Sequence, residues 1–185
     1  YKLMIIDAHT HIFPPEIRQS REKFFPSEAA FKLLYQSPKA RLIGGRELIR
    51  AMDGHRVDQA VIFGFPWTSI ELSKTHNDYI METVLKYPDR LTGLGCLDPA
   101  SPGAAAEAER CITGGVGGIG ELAFYQSGID DVALEQLAPV MDMCAEPGLP
   151  VLIHTNEPVG HDYHGKTPIT LSQIYALVKR FADNK

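Results

Sequence analysis

With 185 residues, 44% of them hydrophobic and 22% charged, the chain has room for one sizeable core but not for two. Its net charge of -5 offers no basic surface for phosphate backbones, which argues against general nucleic-acid binding. No apolar run approaches the roughly 20 residues that cross a bilayer, and no basic segment leads into an apolar one at the start, so neither a membrane span nor a secretion leader is expected.

Leu3 to Ala8 reads as a fully buried strand that runs into Asp7-Ala8-His9-Thr10-His11. Alternate side chains of an extended backbone share a face, so His9 and His11 aim together. Two neutral imidazoles at a strand end suit a transition-metal ion. A chance His-x-His is the other reading of the pair. An insertion over about 12–45 follows, with helical excursions at Pro14–Phe25 and Pro26–Gln36. Arg46–His55 is a predicted helix, with Leu48, Ile49 and Met52 at helical spacing. Val57–Phe65 is a second strand, Ile70–Tyr87 a helix ended by Tyr87-Pro88, and Leu91–Leu97 a third strand. Ser101-Pro102 predicts the start of a helix over Gly103–Ile112.

Val116–Phe124 is the fourth strand. Asp130-Asp131 opens a helix to about Ala145, with acids at the positive end of its dipole. Pro150–His154 is the fifth strand, and Thr167-Pro168 starts a last helix to about Ala182. Five strands alternating with helices predict repeated βαβ units, a parallel sheet with helices outside it. Gly115-Val116-Gly117-Gly118-Ile119-Gly120 matches the letters of a dinucleotide-binding loop. It stands between a helix and a following strand, the wrong order for pyrophosphate at a helix N-terminus. Its glycines are expected to make a turn and allow close packing. The three cysteines, Cys96, Cys111 and Cys144, are odd in number and widely spaced. They point to buried packing in a reducing cytoplasm, not to disulfides or a cysteine zinc site.

Parallel α/β sheets place their sites at the carboxyl ends of the strands. Those ends carry His9 and His11, then Phe65, Pro66 and Trp67, then Asp98, then Glu121 and Tyr125, then His154, Asn156 and Glu157. Three histidines and a glutamate on one rim would make a metal shell of the kind that catalytic zinc uses. Glu121 is the only charge in an otherwise apolar run, and a buried carboxylate needs a partner. A neighbouring Lys or Arg is the alternative partner to a metal. The loop after strand five, with His161 and His164, is a candidate substrate loop; a solvated histidine pair is the alternative. His55 and His76 read as surface residues, and Glu107, Glu109 and Arg110 as a solvated helix face.

Ile6-Asp7-Ala8-His9-Thr10-His11 with Phe13-Pro14 resembles the first-strand motif of the amidohydrolase superfamily. More narrowly, the chain is similar to the amidohydrolase-related (amidohydrolase 2) family, which includes aminocarboxymuconate-semialdehyde decarboxylase-like enzymes. Met52–Val61, Asn77-Asp78-Tyr79, Tyr87–Gly95 and Pro150–His154 continue the likeness in order. The resemblance implies a (β/α)8 TIM-type barrel binding one divalent metal, usually Zn2+, with Mn2+ or Mg2+ as alternatives. His9, His11 and His154 match its ligand positions. Glu121 departs from that pattern and looks like the fourth-strand glutamate of TatD-like hydrolases, which leaves a binuclear centre open. The family continues with a sixth-strand histidine and an aspartate after strand eight that serves as ligand and proton shuttle. Residues up to Lys185 are expected to hold only about the first five β/α units, so residues 1–185 are expected to form one barrel domain, incomplete at its C-terminus.

The functional expectation is a cytoplasmic metal-dependent hydrolase acting on a small amide, lactone or ester. The alternatives are a metal-dependent decarboxylase of a small unsaturated acid and a non-catalytic metal-binding fragment. The expected metal residues are His9, His11, Glu121 and His154, and the expected substrate contacts Trp67, Tyr125, His161 and His164. The expected partner is a small molecule, with neither nucleic acid nor membrane, and an open sheet edge invites self-association.

Overall fold

The computed structural model describes residues 3–126, 128–156, 159–161, 163 and 166–185. Its strands are β1 (Ile6–His11), β2 (Gln59–Phe63), β3 (Leu91–Gly93), β4 (Ile119–Leu122) and β5 (Val151–Ile153). Its α-helices are α1 (Pro15–Gln19), α2 (Ala29–Tyr35), α3 (Gly45–His55), α4 (Ile70–Lys86), α5 (Ala104–Thr113), α6 (Asp131–Ala145) and α7 (Leu171–Arg180), with a short 3-10 turn at Arg21–Phe24. All strand pairs among the described residues are parallel. β1-β2-β3 form one ladder, β4-β5 another, and a bridge from Gly95 to Ile119 joins them. Spatial order therefore follows chain order, as it does in a β/α barrel, and the α/β class read from the alternating pattern is the one observed.

Local chemistry explains where several elements start. Asp130 caps α6 by accepting from Ala133 N at 2.9 Å. Thr170 and Gln173 form a reciprocal capping box at the start of α7. Three expectations fail here. Thr167 does not start the last helix; it is buried, and its N–H donates to Asn156 Oδ1 at 2.8 Å. Ser101 does not cap α5, because its hydroxyl donates instead to the Thr68 carbonyl at 2.7 Å. The first strand is not fully buried: Leu3, Met4, Ile5 and Ile6 are exposed, since β1 pairs only with β2 among the described residues.

Among the described residues the core falls into three apolar clusters. One packs α5, α6 and α7 against β4 and β5, through residues such as Leu122, Leu137 and Leu177. A second joins α3 and α4 to β1–β3 through Leu48, Ile62, Ile80 and Leu91. The third is aromatic. Phe13, Phe31, Phe65 and Trp67 bring the insertion onto the carboxyl end of β2, with Phe31 and Trp67 ring centres 4.6 Å apart. A buried carboxylate fastens the same contact, for Glu28 accepts from Thr68 N and Ser69 N, both at 3.0 Å.

The glycine-rich stretch lies between α5 and β4, as its order in the chain requires. A methyl group on Gly118 would sit 2.6 Å from the Pro150 carbonyl oxygen, and Gly120, at φ +138°, faces the backbone of Leu152. Close strand packing excludes side chains there. Glu107 and His76 correct two further expectations, both being 1% exposed. Glu107 turns inward to Asn77 and Arg110, and His76 lies under Trp67.

Candidate metal centre

Both strands that carry the expected metal residues lose regular register beside them. β1 shifts relative to β2 between Asp7 and Thr10, and β4 shifts relative to β5 between Ile119 and Leu122. Such irregularities re-aim side chains next to functional sites. Here they bring His9, His11 and Glu121 together, with one ligand atom from each within 4.8 Å of the other two. Glu121 Oε2 lies 3.5 Å from His9 Nε2 and 3.4 Å from His11 Nε2. Donors about 2.1 Å from a tetrahedral ion sit about 3.4 Å apart, so these separations suit a divalent cation.

His154, just past β5, lies beside this group and outside its 4.8 Å reach. Its Nδ1 is 2.9 Å from Glu121 Oε1, while its Nε2 is buried with no hydrogen-bond partner among the described residues. A buried imidazole nitrogen without a partner is what a metal donor looks like. His11 is fixed in the same sense, since its Nδ1 donates to the Gly64 carbonyl at 2.7 Å and its Nε2 is left to face Glu121. A backbone carbonyl or carboxylate on the far ring nitrogen is the usual way a ligand histidine is oriented. The residues present therefore fit a divalent metal through His9, His11 and Glu121, with His154 bonded to the Glu121 carboxylate beside them.

Burial alone would raise the Glu121 carboxyl. Hydrogen bonds from His11 and His154, with the charges of His154 and His9, hold it down at about 2 instead. Glu121 thus remains an anion among three imidazoles.

A cavity of about 420 Å³ opens onto this cluster. Its lining is also aromatic: Tyr35 and Tyr125 flank Phe65, at 6.1 and 6.5 Å between ring centres. Burial first, then the charge of Glu121, pushes both phenols up, Tyr35 to about 12, so both keep a proton available for donation. Tyr35 comes from the insertion and was not among the expected contacts. The available signal was Phe31 and Tyr35 at i and i+4 on one helix face.

The other expected contacts lie elsewhere. Trp67 is fully buried, donates from Nε1 to His76 Nδ1 at 3.0 Å, and supports the wall from behind. His161 is exposed beside Tyr163 and does not line the cavity. His164 lies outside the described residues. Asp98, with its carboxyl raised by burial, lines a neighbouring hollow of about 850 Å³ that shares Pro66 and Tyr125 with the metal cavity.

Among solved structures, the chain is similar to 5-carboxyvanillate decarboxylase from Sphingomonas paucimobilis, at 20% identity and TM-score 0.69, covering 100% of this chain and 66% of that one. It is similar to the 5-carboxyvanillate decarboxylase of Novosphingobium aromaticivorans DSM 12444 complexed with manganese, at 19% identity and TM-score 0.65, covering 98% and 55%. It is also similar to 4-oxalomesaconate hydratase from Rhodopseudomonas palustris, at 18% identity and TM-score 0.58, covering 98% and 61%. The chain thus spans between about half and two thirds of the length of these neighbours, and at such identities the likeness is one of fold. No curated protein matches it in sequence. The family model described as Amidohydrolase matches residues 6–185. The chain belongs to the amidohydrolase family.

Proposed function

We propose that this chain carries the metal-binding half of a decarboxylase acting on a small planar, conjugated carboxylic acid. The observation that carries the reading is the cavity itself, a cluster of three imidazoles and a carboxylate facing an aromatic wall. His9, His11 and His154 would hold a divalent ion, with Glu121 beside it as ligand or orienting group. When bound, the ion would supply a Lewis acid for a substrate oxygen. Manganese is as well supported as zinc, since the Novosphingobium neighbour is complexed with it.

The remaining work falls to the protein's own groups. Phe65, between Tyr35 and Tyr125, offers a flat apolar face to a conjugated ring. The two protonated phenols donate hydrogen bonds to anionic oxygens of the acid. Glu121 orients His154 through Nδ1, and Gly64 orients His11, so that the imidazoles need no rearrangement during turnover. Neighbours that decarboxylate 5-carboxyvanillate and dihydroxybenzoates on the same fold support a decarboxylation.

Hydrolysis of a small amide, lactone or ester is the second reading, favoured by the match to a family described as Amidohydrolase. Elemental analysis of the intact protein tests the shared premise. The wild type is expected to retain about one divalent ion, and His9→Ala and His154→Ala to lose most of it. Wild-type protein without metal, or full occupancy in both variants, would sink the reading. With metal-loaded protein, carbon dioxide release from hydroxybenzoates and unsaturated acids is set against hydrolysis of a lactone panel. Metal without either activity would mean a non-catalytic metal-binding chain.

A further inference from the structure

The ladder between β3 and β4 stops just short of the metal centre. Its last rungs run from Gly95 N to Gly118 O at 3.0 Å and from Gly120 N to Gly95 O at 2.8 Å. The next residue on that side, Cys96, turns its peptide groups the other way. Its N–H donates to Asn77 Oδ1 at 2.8 Å, and its carbonyl accepts from Asn77 Nδ2 at 3.1 Å. One carboxamide from α4 thus takes both groups, as a neighbouring strand would.

Asn77 is itself held from outside. Its Nδ2 also donates to Glu107 Oε1 at 2.8 Å, Arg110 grips Glu107 through two bonds of 2.8 Å, and Asp78 anchors Arg110 at 2.6 Å. What Cys96 presents to β4 is its thiol, which donates to the Glu121 carbonyl at 3.0 Å. That contact falls on the residue whose side chain lies among the three histidines. Asn77 and Cys96 are both fully buried, so the contacts are shielded from competing water.

We propose that Asn77 and Cys96 form a positioning clamp for Glu121: the carboxamide turns Cys96 away from the ladder, and the thiol sets where the glutamate backbone rests. Neither residue touches metal or substrate; they act through Glu121. The inference rests on the reading of Glu121 as part of a metal centre.

Titration of the whole chain with Co2+, followed by absorption and paired with thermal denaturation, tests the clamp. Cys96→Ala is expected to bind Co2+ about tenfold more weakly and to change the cobalt absorption bands. Cys96→Ser keeps a donor of similar size and is expected to stay within about twofold of the wild type. Asn77→Ala is expected to match the loss in Cys96→Ala, and the double variant to be no weaker than Asn77→Ala, because both act along one line of contacts. Cys96→Ala binding like the wild type, Cys96→Ser falling as far as Cys96→Ala, or additive losses in the double variant would each overturn the clamp. Should Asn77→Ala fail to fold, the two Cys96 variants decide the matter. A wild type that binds no Co2+ would overturn the metal reading itself, and the clamp with it.

Discussion

At the scale of single residues, the meeting of His9, His11 and Glu121 was legible in the sequence and its supports were not. Glu121 stood out because a lone carboxylate in an apolar run demands a partner. His76 gave no such signal, since a histidine on a helix beside Lys74 and Asp78 reads as solvated. In the fold, both of its ring nitrogens are committed: Trp67 Nε1 donates to Nδ1, and Nε2 donates to the Ile12 carbonyl at 2.6 Å. Burial pushes its pKa down to about 4, against the pull of the Ile12 bond and with help from the charge of His11. The folded chain therefore keeps His76 neutral where the unfolded chain takes up a proton, below about pH 6.5. This contribution to stability is present in full above pH 6.5 and is lost as pH falls toward 4, a change of about 3 kcal/mol. In urea denaturation across that window, His76→Phe should have a shallower pH dependence than the wild type by about one proton. Equal slopes would show that His76 titrates normally.

At the scale of elements, the ends of helices were easier to read than their inner faces. The start of α6 was visible from the acids Asp130-Asp131; Asp130 also caps it, and Asp130→Ala should cost about 1 kcal/mol in denaturant titrations. Ser101 misled because its hydroxyl found a distant carbonyl. The inner face of α4 is Ser73, His76, Asn77, Ile80 and Thr83, so polar that no hydropathy period could reveal which side is buried. The glycine run was legible by order alone. Gly120 combines a left-handed φ with the Leu152 backbone where a methyl would go. Gly120→Ala should therefore destabilise the fold by about 2 kcal/mol or more, read as a lowered urea midpoint. The insertion carries its own fastening in Glu28. Glu28→Ala leaves two N–H groups without that acceptor and should cost about 2 kcal/mol. Limited proteolysis should then cut within 12–45 first, whereas unchanged cleavage would mean that the aromatic contacts alone suffice.

For the whole molecule, alternating strands and helices were enough to establish the parallel sheet, because each βαβ unit declares itself locally. How far each strand reaches was less legible, since pairing partners come from remote parts of the chain. The described residues leave two apolar surfaces facing solvent: the stretch Leu3–Ile6 beside and within β1, and Leu171, Tyr175 and Val178 along α7. No described helix is long and apolar enough to cross a membrane. An apolar sheet edge is a template for pairing. The 185-residue chain is accordingly expected to associate as its concentration rises, with Ile5→Lys reducing the effect in light scattering. A wild type that stays monomeric at high concentration would contradict this. The contact between the insertion and the carboxyl end of β2 has a different consequence. Glu28 and the aromatic plug join 12–45 to the barrel elements, alongside Arg18 on Glu47 and the Ile12 carbonyl on His76, and that segment supplies Tyr35 to the cavity, while Glu121 comes from β4 and His154 from just past β5. Of the metal-cluster residues only His9 and His11 adjoin the segment, both on the strand before it. Under the proposed reading of Tyr35 as a substrate contact, grafting another segment between His11 and Arg46, with its own anchor to the Thr68 and Ser69 amides, would alter substrate preference and leave the ion-binding group in place.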